Sequence, residues 1–130
     1  MASWDDLVAH MRSAYGLDFE DENGKVSLTF SLDDGRSQKV LVKLAESPEM
    51  GKWAQVGGVI GEFTEIDLAA AIRLTENNIT GAISCSGNLV TVSDSFPLDS
   101  LDTNDLDMTL RAIATTSDAL EKRLTGKDVW

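Results

Sequence analysis

Four parts of the chain carry residue types that could do chemistry. His10 could act as a general base and Cys85 as a nucleophile. The run Gly57-Gly58-Val59-Ile60-Gly61 could cradle a phosphate, and the acidic segment from Asp18 to Gly24 could hold calcium. None has the companions its chemistry requires. His10 falls on the polar side of a helical stretch, with no serine or cysteine at a suggestive spacing, and reads as a solvated surface histidine. Cys85 sits mid-strand in Ile83-Ser84-Cys85-Ser86, with no basic neighbour in sequence to activate the thiol. A dinucleotide fingerprint needs a strand, then G-x-G-x-x-G, then a helix whose N-terminus takes the pyrophosphate. The glycines here are spaced differently, which points to a bulged or closely packed strand. An EF-hand loop with Gly24 at its turn glycine would begin at Phe19 and end at Phe30, and neither side chain can ligate. The acids at 99, 102, 105 and 107 read as cap and dipole partners of a final helix. No spacing selects a carboxylate pair for acid–base work among so many acids. The sequence therefore assigns no catalytic residue, no metal ligand and no cofactor.

The charge balance narrows the partners. The chain has 130 residues, with 22 acidic against 11 basic side chains and a net charge of −11. A polyanion is repelled by such a surface, so neither nucleic acid nor an anionic membrane is an expected partner. The length suits one domain spanning 1–130, which buries roughly two thirds of its unfolded surface without help from disulfides or metals. One cysteine cannot make an internal disulfide. The first residues show neither a basic segment nor an apolar run of the kind a signal peptide needs, and a cytoplasmic location is the expectation.

The elements follow from periodicity. Ser3 can cap a helix carrying Trp4, Leu7, Val8, Met11 and Tyr15 on one stripe, ended by Gly16. Val26, Leu28, Phe30 and Leu32 alternate with polar residues in a half-buried strand. Asp34-Gly35 turns the chain into a second strand, Gln38 to Leu44, and Pro48 marks a loop over 45–52. A third strand runs from about Trp53 to Phe63. Thr64 is placed as the cap of a second helix, stopped at Asn77-Asn78. Strands near Ile79–Ser86 and Leu89–Ser95 form a hairpin around Gly87-Asn88. Asp102 caps a last helix whose seam is Leu106, Leu110, Ile113, Ser117, Leu120 and Leu124, closed by Gly126.

The fold class is thus α+β, in the order α-β-β-β-α-β-β-α. Short connections predict a mostly antiparallel five-stranded sheet, and single-striped helices must cover one face of it. The uncovered face should carry Ser27, Thr29, Ser31, Thr80, Ser84 and Ser86, with Leu41 and one side of Trp53–Ile60 left open as an apolar patch.

That order of elements resembles the class I type III secretion chaperones and the YbjN-like proteins of the same fold. Local text agrees: Tyr15-Gly16-Leu17 before an acidic turn, Leu74-Thr75-Glu76-Asn77 closing the second helix, and Phe96-Pro97-Leu98-Asp99-Ser100-Leu101-Asp102 leading into the last. The resemblance implies a non-enzymatic, cytoplasmic homodimer that holds an extended segment of a client protein. It implies a dimer interface from the second helix and the strand beside it, through Leu68, Ile72, Leu74, Ile79 and Ile83. Leu41, Trp53, Val56, Val59 and Ile60 are the expected partner contacts. Two departures stand out: no proline marks Gly61-Glu62-Phe63-Thr64, and the open face is mostly serine and threonine. The alternatives are a YbjN-like regulatory or structural domain without a secretion client, and a small carboxylate-based enzyme or ligand-binding protein.

Overall fold

The computed structural model describes residues 3–130, Asp34 by its backbone. Helix α1 (Trp4–Tyr15) begins at Ser3, whose hydroxyl accepts from the Asp6 amide while the Asp6 carboxylate takes the Ser3 amide. This reciprocal capping box satisfies two amides that helical geometry leaves free. Strands β1 (Phe19–Asp21), β2 (Lys25–Ser31), β3 (Ser37–Ser47) and β4 (Gly51–Glu62) follow. Then come α2 (Leu68–Leu74), β5 (Ala82–Ser86), β6 (Leu89–Pro97) and α3 (Thr103–Thr125). The strands form one antiparallel sheet in the order β1-β2-β3-β4-β6-β5.

The sheet has six strands where the periodicity predicts five. The extra one, β1, comes from the acidic connection, with Phe19 opposite Ser27 and Asp21 opposite Lys25. The loop expected over 45–52 shrinks to 48–50. Ala45, Glu46 and Ser47 stay in the ladder opposite Trp53, Lys52 and Gly51, and Gly51 closes the turn at φ 77°. Helix α2 starts later than expected. Asp67, not Thr64, caps it by accepting from the Ala70 amide. β5 starts at Ala82 rather than Ile79, because Gly81 takes φ +92°, a conformation outside any strand.

α3 lies along β4, flanked by β3 and β6; α1 packs on β2, and α2 on β5 and α3. The helices cover one side of the sheet, where Leu28, Val40, Val42, Val56, Val92 and the α3 residues Leu106 and Leu110 are wholly buried. Fully burying such a side chain contributes roughly 1.5–3 kcal/mol. The predicted α3 seam is this contact: Ile113 and Ser117 continue it, at 1% and 0% exposure. Ser117 sits directly over Gly58. A Cβ at Gly58 would come within 2.1 Å of the Ser117 hydroxyl and 2.4 Å of its Cβ. The glycine therefore sets how closely helix and sheet approach.

β4 carries a bulge between Val59 and Gly61 in its pairing with β6. There the buried Gln38 side-chain amide donates to the Val59 carbonyl at 2.5 Å. The glycine run thus serves packing and a bulge, as its spacing predicts.

Candidate protein-binding surfaces

Strand alternation delivers a different set of residues to the open side of the sheet. Lys25 lies opposite Lys43 across β2 and β3, and Ser27 opposite Leu41. Leu41 in turn faces Gly57 on β4, and Gly57 faces Ser93 on β6. Because Gly57 has no side chain, the sheet surface is hollow there. The resulting depression, about 310 Å³, is lined by Lys25, Leu41, Lys43, Gln55, Ser84 and Thr91, among others. On its far wall the Ser84 hydroxyl bonds those of Thr91 at 2.8 Å and Ser93 at 2.7 Å. These hydroxyls belong to β5 and β6, so the sheet, not any loop, positions them.

The residues nominated as partner contacts divide. Leu41 and Trp53 are half-buried, and both take open-side positions in the ladder; the Trp53 indole N–H donates to the Met50 carbonyl at 2.9 Å. Val56 and Ile60 belong to the core beneath the helices and are fully buried. Val59, opposite Thr91 where the bulge begins, is also fully buried. These three are closed to a partner. β4 is a central strand covered by α3, and the bulge shifts the alternation from which an open valine face is read. Thr29, Ser31, Ser84 and Ser86 lie on the open side as expected; Ser27 is there too, at 5% exposure. Thr80 is not, since it precedes β5.

A second surface lies at the β5 edge. β5 pairs only with β6, so its outer edge is free among the described residues. Beside it, Ile79 is fully exposed and Ile72 on α2 is 58% exposed. Leu68, Leu74 and Ile83 are half-buried and lean on the core. Ile72, Ile79 and Ile83 line one shallow depression together with Asp94. One carboxylate oxygen of Asp94 is buried there without a hydrogen-bond partner, an arrangement native proteins rarely leave unsatisfied.

The chemistry-capable residues of the sequence take structural places. His10 is half-buried rather than solvated: its Nε2 lies 2.9 Å from Asp107, which also accepts from the Tyr15 hydroxyl at 2.5 Å. Burial alone would raise the Asp107 pKa, but the bonds from Tyr15 and His10 outweigh it and hold the carboxyl below its ordinary value. Burial and the Asp107 bond push the Tyr15 phenol up. The group joins α1 to α3. Cys85 is exposed on β5. The acids of 18–24 serve β1 and its turn, where Asp21 accepts from the Asn23 amide.

One cluster has no signal in the sequence. Asp118, Glu121 and Asp128 bring carboxylate oxygens within 4.8 Å of one another, a spacing that could hold a metal ion. The Arg36 guanidinium already offsets part of its charge. Its Nε donates to the two Asp118 oxygens at 2.8 and 3.1 Å, and its terminal nitrogen lies 3.9 Å from both Glu121 and Asp128. Glu121, 1% exposed, accepts the amides of Val129 and Trp130. Burial pushes its pKa up despite those bonds. The cluster fits a clasp on the end of the chain better than a cation site. No helix among the described residues is long and apolar enough to cross a membrane.

No protein-family model matches the chain, and no curated protein does. Among solved structures, a chain of the HopA1–SchA chaperone–effector complex superposes with a TM-score of 0.56 at 15% identity. The superposition covers 89% of this chain and 90% of that one. The chain therefore shares its fold with a chain of a chaperone–effector complex.

Proposed function

We propose that the protein is a non-enzymatic protein-binding module of secretion-chaperone type, acting in the cytoplasm as a homodimer that holds an extended client segment. The carrying observation is the free β5 edge beside exposed Ile72 and Ile79. Apolar side chains next to an unpaired strand are what a protein partner covers, and a donor from that partner would satisfy the orphan oxygen of Asp94. In this arrangement Leu68, Ile72, Leu74, Ile79 and Ile83 join two copies. The client lies on the open side of the sheet against Leu41 and Trp53. Its apolar residues gain roughly 25 cal/mol per Å² buried, before the cost of ordering the segment.

The serine, threonine and lysine character of that side favours a second reading, a YbjN-like regulatory domain of the same fold without a secretion client. Tagged chain recovered from its native cell separates the two. A chaperone retains one dominant protein in its soluble fraction and loses it on Leu41→Glu with Trp53→Glu. A wild-type chain that retains no protein in near-equal amount contradicts the client.

A further inference from the structure

We infer that the open side of the sheet selects an acidic segment, seating a carboxylate between Lys25 and Lys43. The inference deepens the protein-binding reading and rests on it. Acidic side chains outnumber basic ones 22 to 11 over the chain. Yet the depression over Gly57 has two lysines in its lining and no carboxylate. The bias extends past the depression. By alternation, the open side of β3 carries Ser37, Lys39, Leu41, Lys43, Ala45 and Ser47. That of β4 as far as Val59, and those of β5 and β6, likewise hold no acid. Carboxylates appear only at its margin, where Asp21 lies opposite Lys25 and accepts from the Asn23 amide, and Asp18 accepts from the Thr29 hydroxyl.

Two further features match a carboxylate on an extended chain. Ser84, Thr91 and Ser93 make two bonds among three hydroxyls, and each hydroxyl has one proton to donate. Where Thr91 holds the remaining proton, its acceptor among the described residues is the Ser84 carbonyl, at 3.4 Å. A ligand oxygen is a better one. Trp53 lies four residues from Gly57 on the same side of β4, about 13 Å along the strand, a distance an extended segment spans with apolar and acidic residues on one face. Complementary charge of this kind chooses partners and speeds encounter.

The test is fluorescence anisotropy on the full-length chain. The probe is a short labelled peptide in which glutamate alternates with serine and valine, compared with its glutamine counterpart. The glutamate peptide is expected to bind saturably and more weakly as salt rises. Lys25→Gln with Lys43→Gln, checked for an unchanged melting temperature, should lower its affinity at least about tenfold. Should the pair not fold, Lys43→Gln alone is read the same way. Equal binding of the glutamine peptide, affinity unmoved by the lysine variants, or no saturable binding overturns the inference. So does displacement by inorganic phosphate as effective, mole for mole, as by unlabelled peptide, because that marks a bare anion site. The two readings fail separately. A client retained equally by wild type and the lysine pair removes this surface and spares the chaperone. A chain that retains no client yet binds the glutamate peptide does the reverse.

Discussion

Gly57 and Gly58 stand side by side in β4 and face opposite sides of the sheet. A Cβ on Gly57 meets Ser93 and Thr91 at an ordinary 3.6 Å, whereas one on Gly58 drives into Ser117. The same residue type therefore answers to two pressures. Under the helices, glycine allows α3 to approach, and the neighbours are wholly buried aliphatics. On the open side, glycine leaves a hollow floored by backbone and ringed by hydroxyls and lysines. One side of the sheet carries the helices and the core, and the other is left uncovered by them.

The contrast can be broken by substitution. The largest effect belongs to the covered side. Leu110→Ala removes a wholly buried side chain from the α3 seam and should cost about 2–5 kcal/mol in chemical denaturation, depending on how far the site collapses. Gly58→Ala comes next, at about 1–3 kcal/mol, because Ser117 is itself held by bonds to the Ile113 and Ala114 carbonyls and cannot yield cheaply.

Tyr15→Phe should cost about 1–2 kcal/mol near neutrality by removing the donor to Asp107, while the ring contact with Phe30 at 4.9 Å persists. Its pH dependence fixes the mechanism. Asp107 titrates lower in the folded state than its ordinary 3.8, so its contribution is present above that value and lost as pH falls through the folded pKa. Tyr15 titrates above its ordinary 10.0, so its contribution is present below that value and lost at higher pH. The stability gap between wild type and variant should close in strong acid and in strong base. A gap that stays constant with pH contradicts the bond. The smallest effect is on the open side: Gly57→Ala should change stability by less than about 0.5 kcal/mol, because the added methyl meets only ordinary contacts. Equal costs at 57 and 58 would erase the distinction between the two sides.

Much of the covered side is legible in sequence because its signals are local. Ser3, Asp102 and Gly126 mark helix ends as their cap chemistry requires, and the α3 seam follows from helical spacing. The polar open side follows from alternation in β2. What failed needed longer range. Phe19-Glu20-Asp21 is too short and too acidic to read as a strand, and becomes one only through pairing with β2. Val56, Val59 and Ile60 could not be assigned a side, since Val-Gly-Gly-Val-Ile-Gly shows no alternation and the bulge changes its phase. His10 meets Asp107, and Arg36 meets Asp118, across most of the chain, where no local pattern connects them. Near β5 the signal is Gly81, whose positive φ stops the strand short of the fully exposed Ile79.

The most direct test of the binding-module account is the mass of the particle in solution. Light scattering on the wild-type chain at micromolar concentration should give twice the 14.1 kDa chain mass, and Ile72→Asp with Ile79→Asp should return it to a folded monomer. A wild-type chain that scatters as a monomer, or a variant pair that stays dimeric, would contradict the assignment of the α2 and β5 edge as the surface that joins two copies.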